Sequence, residues 1–448
     1  MNRLIETKPA PGTPAAWNFP SVTRTQGEGV TVVAAHLPGR PMVMLNVVVD
    51  AGGVCDAPGK EGTASLVAAA LLKGARGLGE EDLAIAFETV GATPSGGAGF
   101  DSASFGLQAP AGLLGQASAL LADVVRRPTL DTDEIEKLRQ QRLDGFAASR
   151  SNPNYMAALA ARQAYFAPDS RFAINGEGNP DSIEAITVDD VRGFHAERWA
   201  KAPLTVIVTG DLTGVDLDGI AAAFGADTVV PPMGAASYEI KGGGRRLVVT
   251  HLAGSVQSVL DFTAPGPKYD IPDAAELSVG QSVVLAAFSA RVNQRLREDL
   301  GYTYGARGSF NRDRDGGTLS IGTQVRNEVT AETIKETFAV LDASLGAVPL
   351  TDDEVEQARD NLVAKFAVNY DGPGAVASAI GNRVVHGLAD DDRDVMLAKL
   401  KMVTTAQANE AWRKYVNLDE VLVSVAGDIG AIRESLQTLS MPIIEASA

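Results

Sequence analysis

The sequence predicts a duplicated chain, two homologous αβ halves joined by a linker, and three observations carry the prediction. The segment Leu130-Asp-Thr-Asp-Glu-Ile-Glu-Lys-Leu-Arg139 matches Leu350-Thr-Asp-Asp-Glu-Val-Glu-Gln-Ala-Arg359 without gaps, and the same spacing of 220 residues pairs Phe146 with Phe366, Pro153 with Pro373 and Ala157 with Ala377. A second block, Ile186 to Leu212, runs parallel to Val403 to Ile429 at a spacing of 217, so an indel of three residues separates the two blocks. Residues 231–244 lie between the repeats, are rich in Pro and Gly, and carry no sustained helical period. The predicted parts are an N-terminal half over 1–230, a linker over 231–244 and a C-terminal half over 245–448.

The elements follow in chain order. Residues 102–107 alternate in polarity and read as a half-buried strand. Asp131 and Thr351 each stand three residues before a Glu, the spacing of a capping box that satisfies the free amides of a first helical turn. The runs 205–208 and 421–425 are short, β-branched and apolar, and end at Gly-Asp turns, which suits buried strands. Arg245 to His251 opens the second half as a strand. Further on, Val292 and Leu296 share one helix face while Arg295, Arg297 and Glu298 project elsewhere. After Gly301 an alternation through Tyr302, Tyr304 and Ala306 predicts that a strand begins there.

Composition narrows the function. A chain of 448 residues with 45% apolar side chains can bury sizeable cores. Its 39 Lys and Arg against 56 Asp and Glu leave a net charge of −17, a poor footprint for nucleic-acid phosphates or anionic lipid. The longest apolar stretch, residues 64–72, is far below the ~20 residues that span a bilayer. Met1 to Trp17 carries Pro9, Pro11 and Pro14 and lacks the apolar core of a secretory signal, so a cytoplasmic location is expected.

Cys55, the one cysteine, excludes a disulfide framework and a multi-cysteine metal site, and with no neighbouring His it reads as a passive thiol. His36, His195, His251 and His386 are scattered, so no two share a helix turn as zinc ligands commonly do. Neither a phosphate loop nor a Gly-x-Ser-x-Gly elbow is present.

Residues 285–305 are the informative stretch. Ser289, Arg291, Arg297, Glu298, Gly301 and Tyr304 fit Ser-x-Arg…Arg-Glu-x-x-Gly-x-x-Tyr. This resembles the second half of the pitrilysin-like zinc peptidases, the inverzincins, whose members include processing-peptidase subunits, and the resemblance extends along most of both halves. It implies an α+β fold in which each half is a mixed sheet with helices packed on it. It also implies that Arg297 and Tyr304 form a pair reaching into a zinc-bearing catalytic centre. A guanidinium and a phenol there can donate to the developing oxyanion and to substrate carbonyls.

The family's zinc motif, Gly-x-Ala-His-x-x-Glu-His followed by Lys-Gly, aligns without gaps with Gly62-Thr-Ala-Ser-Leu-Val-Ala-Ala-Ala-Leu-Leu-Lys-Gly74. Ser65 and Ala69 stand at the two His positions and Ala68 at that of the Glu base. The third ligand, a Glu on a later helix, falls at Gly145, or at Asp144 if the register is one off. No zinc is expected in this chain.

A family member that keeps the Arg/Tyr element and lacks the ligands resembles the non-zinc subunit of a heterodimeric peptidase. The expected partner is a chain bearing His-x-x-Glu-His, which brings the zinc. Short or unfolded peptides are the expected substrates, added as an edge strand for which residues 102–107 are one candidate. Two alternatives remain, a substrate-recognition subunit of processing-peptidase type and an inert scaffold like the core proteins of respiratory complexes. The stretch 285–290 lacks the glycine run of the processing-peptidase recognition loop.

Overall fold

The structure is a computed structural model that describes residues 17–231 and 236–446, so the proline-bearing N-terminal segment and residues 232–235 of the linker lie outside the described residues. In the first half, β1 (Val22–Gly27), β2 (Val30–His36), β3 (Met42–Val49), β6 (Thr93–Ala98), β7 (Ala103–Pro110) and β8 (Leu204–Gly210) form one sheet in the order β1-β2-β8-β3-β7-β6. The ribbon β4 (Gly74–Ala75) and β5 (Leu78–Gly79) stands apart. In the second half, β9 (Arg246–His251), β10 (Gln257–Gly266), β11 (Ala306–Arg312), β12 (Gly317–Arg326), β13 (Leu422–Gly427) and β14 (Ile443–Glu445) order as β11-β12-β10-β13-β9-β14.

Five of the six strands correspond. β2 and β8 are parallel, as are β9 and β13, and the other ladders they share with their equivalents are antiparallel. The halves differ at the outer strand, because β1 is antiparallel to β2 whereas β14 is parallel to β9. Both sheets are mixed and carry helices, as the α+β expectation has it.

The repeat also shows in the helices. The Thr132–Ser149 and Asp352–Asn369 helices are the two 220-spaced copies. Thr351 and Glu354 complete a reciprocal capping box, whereas Asp131 accepts from the amides of Asp133 and Glu134. The shorter copies are each capped by a Thr, Thr187 before Val188–His195 and Thr404 before Thr405–Tyr415.

β8 and β13 are buried along almost their whole length because both faces of each sheet are covered. One face of the first sheet, with Val32, Leu45, Val47 and Val206, packs on helices of its own half. Its other face, with Val33, Val48 and Ile207, packs on Val376, Ala377 and Ile380 of the Pro373–His386 helix from the second half. The reciprocal helix, Pro153–Tyr165, lies on the second sheet, where Ala157 meets Val259 and Ala426. Polar groups mark both crossings: Ser424 Oγ donates to Ala157 O at 2.8 Å and Thr209 Oγ1 to Pro373 O at 2.7 Å. Each half thus covers its sheet with a helix borrowed from the other.

The described part of the linker is also held down. Lys241 N donates to Tyr165 O at 2.7 Å, Ala167 N donates to Glu239 O at 3.0 Å, and the Tyr238 ring packs edge-on against Phe166 and Phe172.

Candidate functional site

The Thr63–Ala70 helix carries the degenerate zinc motif. Small side chains let it pack closely, and Ala64, Val67, Ala68 and Ala70 are buried. Its first turn is capped from a distance, Asp56 accepting from Gly62 N and Ala64 N, both at 2.8 Å. Burial pushes the Asp56 carboxyl up to about 7, against the lowering effect of those two amides and of Arg171. Gly62 is required by its backbone, at φ 102°, and by space, since a Cβ there would lie 2.7 Å from Glu177 O.

That close approach brings the loop bearing Glu177 against the helix. Arg142, on the Thr132–Ser149 helix, donates from Nη2 to Ser65 Oγ at 3.1 Å, and its Nη1 lies 3.1 Å from Glu177 Oε1. Gly145 lies three residues further along the same helix and so on a neighbouring part of its surface. The ground between the two helices is held by a guanidinium, a hydroxyl and a carboxylate.

These residues do not fit a catalytic zinc. Ser65 is already engaged by a cation, Ala68 and Ala69 offer methyl groups, and Gly145 has no side chain. Asp144, the off-register alternative, accepts from Gln140 Nε2 at 2.9 Å on the exposed side of its helix. Among the described residues, no group of three or more His, Cys, Asp or Glu is placed to hold a metal ion.

Glu177 also lines a cavity of about 320 Å³ between the halves, with Phe100, Arg162, Phe172, Tyr238 and Asp313. Burial pushes Asp313 up to about 6, Asp101 adding to the effect and Arg162 opposing it, while burial pulls the Arg162 guanidinium down. The hairpin turn bearing Asp313 docks on the first half through Arg314, whose amide donates to Asp101 Oδ2 and whose Nη2 donates to Asp50 Oδ1, both at 2.9 Å.

The Arg/Tyr element is built differently from a helix followed directly by a strand. A π-turn over Ser282–Ala286 ends in a turn at 287–290, a second helical segment runs through Arg291–Asn293 and Gln294–Asp299, and Gly301 reverses the chain at φ 63°. The strand expected from Tyr302 starts only at Ala306, as β11, so Tyr302 and Tyr304 lie in the preceding loop. The alternation missed this because Thr303 and Thr323 divert that backbone. Thr323 Oγ1 donates to Gly305 O at 3.1 Å and Thr303 Oγ1 accepts from Gly305 N at 3.1 Å.

Val292 and Leu296 are buried as their shared face requires. Arg291 is structural: its fork donates to Glu354 Oε1 at 2.7 Å and Oε2 at 2.6 Å, and to Pro349 O at 2.8 Å. Ser289 is exposed. Asn293, 4% exposed, ties both flanks together, donating to Phe288 O at 2.6 Å and accepting from Ala306 N at 3.1 Å.

Arg297 lies over the Phe288 ring at 4.4 Å and 3.4 Å from Glu298 Oε1. Phe288 is 66% exposed and Tyr304 is 97% exposed. Among the described residues no hydrogen bond, ion pair or ring contact joins Arg297 or Tyr304 to Ser65, Ala68, Ala69 or Arg142. The chain therefore presents two separate elements, a pair of helices bridged by Arg142 at the degenerate motif and an exposed Arg/Phe/Tyr face.

Of residues 102–107, all but Ser102 belong to β7, which is flanked by β3 and β6 and offers no edge. The free edge on that side is β6, Thr-Pro-Ser-Gly-Gly-Ala, mostly exposed. Sequence reading missed Arg142, Glu177, Asp56, Phe288 and Asn293. A basic residue one turn before Gly145 was the signal for Arg142, whereas the others depend on loops meeting in space.

Residues 31–167 match the insulinase family, peptidase family M16, and residues 185–362 match the peptidase M16 inactive domain. The chain is 24% identical over 416 residues to an uncharacterised zinc protease of Mycobacterium bovis, covering 90% of this chain and 92% of that one. It is 20% identical over 397 residues to a non-peptidase homolog of Helicobacter pylori, covering 87% and 89%. A crystal structure of a peptidase M16 inactive domain from Pseudomonas fluorescens superposes with a TM-score of 0.81 at 26% identity, over 91% of this chain and 98% of that one. A protease structure from Helicobacter pylori, at 17% identity and a TM-score of 0.82 over 91% and 100%, shares the fold. No helix among the described residues is long and apolar enough to cross a membrane. With family models matching residues 31–167 and 185–362, the chain belongs to the pitrilysin-like peptidase family M16.

Proposed function

We propose that the chain is the non-zinc subunit of a heterodimeric zinc peptidase, contributing Arg297 and Tyr304 to a partner's active site. The observation that carries this reading is the exposure of the Arg/Tyr element in a chain whose zinc motif is emptied of ligands. Tyr304 is 97% exposed, so its hydroxyl can donate to an incoming group without breaking an internal bond. Arg297 is held by Phe288 and Glu298 yet remains about a third exposed, at 34%. A guanidinium anchored on Phe288 and an exposed phenol suit the carbonyl of a scissile peptide, whose oxygen gains charge during attack. Zinc, its activated water and a Glu base belong to the partner chain.

Peptide substrates that are short or unfolded fit an enclosed site between two subunits. The exposed edge of β6 offers a template for an extended backbone. The test is hydrolysis of a quenched fluorescent peptide by this chain, by a His-x-x-Glu-His chain, and by their mixture. Activity confined to the mixture, and reduced by Tyr304→Phe, is the expected result. Full activity of the zinc chain alone would overturn the reading.

A second reading, an inert scaffold or substrate-recognition subunit, is favoured by the similarity to a protein named a non-peptidase homolog. It expects assembly with a partner and cleavage rates indifferent to Arg297 and Tyr304.

A further inference from the structure

We propose that Arg142 is the resident cation of the degenerate metal cleft: its guanidinium ties the Thr63–Ala70 and Thr132–Ser149 helices through Ser65 and bars a divalent metal ion from the ground between them. The proposal goes beyond the heterodimer reading, because it concerns this chain alone.

Three observations converge. Ser65 occupies the first ligand position of the motif, and the group that reaches it, at 3.1 Å, is a cation from the helix that carries Gly145, the third ligand position. The guanidinium is compensated by Glu177, at 3.1 Å, from the loop pressed onto Gly62. Its side chain is 20% exposed, so it is largely withdrawn from water and depends on these two partners.

An arginine suits this role, since one arm donates to the Ser65 hydroxyl while the other pairs electrostatically with the Glu177 carboxylate, linking two helices and a loop. A zinc ion in the same cleft would face a fixed positive charge at hydrogen-bond distance from its first ligand. Like charges at that range repel, and the Arg142 side chain, 20% exposed, is only partly screened by water. The loss of zinc is therefore more than the loss of donors: restoring the donors alone does not restore the site.

The test restores two ligands. Ser65→His/Ala69→His places two imidazoles at i, i+4 on one helix face, an arrangement that suits zinc. Zinc affinity is measured by isothermal titration calorimetry in this background and in the same background with Arg142→Ala. The expected result is at least ~10-fold tighter zinc binding once Arg142 is removed, with a larger zinc-dependent rise in Tm at the same zinc concentration. Equal affinity in the two backgrounds, or no binding in either, overturns the proposal.

The single Arg142→Ala chain supplies an arm that survives misfolding of the His variants. It is expected to melt lower than the natural chain, and Arg142→Lys, which keeps a charge without the fork, to recover only part of the loss. An unchanged Tm for Arg142→Ala shows that the guanidinium does not tie the helices and overturns the proposal as well. Neither arm involves a partner chain, so failure here and failure of the heterodimer reading are separate results.

Discussion

Replacing Asn293 by Ala is expected to loosen the whole Arg/Tyr element. The side chain is 4% exposed and makes two bonds across the element, donating to Phe288 O at 2.6 Å and accepting from Ala306 N at 3.1 Å. Ala306 is itself fully buried, so its amide has no access to water when the acceptor is removed. The buried Ala306 amide left unsatisfied costs roughly 1–3 kcal/mol, and losing the bond to the carbonyl of the exposed Phe288 adds about 1 kcal/mol, which makes about 3 kcal/mol in all. Since about 1.4 kcal/mol corresponds to a tenfold change, amides in this loop should exchange roughly 10²-fold faster with solvent. Hydrogen–deuterium exchange read by mass spectrometry on peptides covering 287–306 measures this directly, and peptides from the first sheet serve as the unaffected reference. Unchanged protection at Ala306, with a stability loss below about 0.5 kcal/mol in urea unfolding, would refute the bracing role.

Three further outcomes follow from the same geometry. Gly62→Ala should cost about 2 kcal/mol or more and lower Tm, because it combines φ 102° with a Cβ at 2.7 Å from Glu177 O; an unchanged melt would contradict it. Arg291→Ala should cost about 2 kcal/mol by breaking the half-buried fork on Glu354, with Arg291→Lys recovering little; full recovery by Lys would argue against a bidentate role. Asp56, pushed up to about 7 by burial, contributes stability that is fully present below its ordinary value of 3.8 and is lost as pH rises through 7. Asp56→Asn should therefore flatten the decline of Tm between pH about 4.5 and 7. Asp190 and Asp211, held down at about 2, keep their contribution throughout that window, and His195 and His386, both lowered by burial, act in the opposite sense in both chains.

The duplication was legible because it is written in residue identities that also do local work. Pro153 and Pro373 start equivalent helices, Thr351 closes a capping box, and the β-branched runs form β8 and β13. The exchange of those two helices between sheets was not legible. Ala157 and Ala377 are small and apolar in either arrangement, and only the tertiary fold decides which sheet they cover. The ladder order was likewise hidden, which is why residues 102–107 could be read as an edge although all but Ser102 lie in the interior strand β7.

The site shows the same division. The missing ligands at Ser65, Ala68, Ala69 and Gly145 could be read position by position, as could Arg297 and Tyr304. What fills the cleft could not, since Arg142 and Glu177 are separated by 35 residues and meet because Gly62 admits the Glu177 loop. Nor was the loop around Tyr304 legible: alternation of side chains suggested a strand, and the hydroxyls of Thr303 and Thr323 hold the backbone out of the ladder until Ala306.

The most direct test of the central claim is the kcat of a zinc-motif partner mixed with this chain, wild type against Arg297→Ala, with association of the two chains monitored in parallel. A loss of about 10²-fold or more in kcat with unchanged association is the expected result, because the guanidinium acts on the transition state rather than on assembly. A variant mixture that associates and cleaves as fast as wild type would contradict the account.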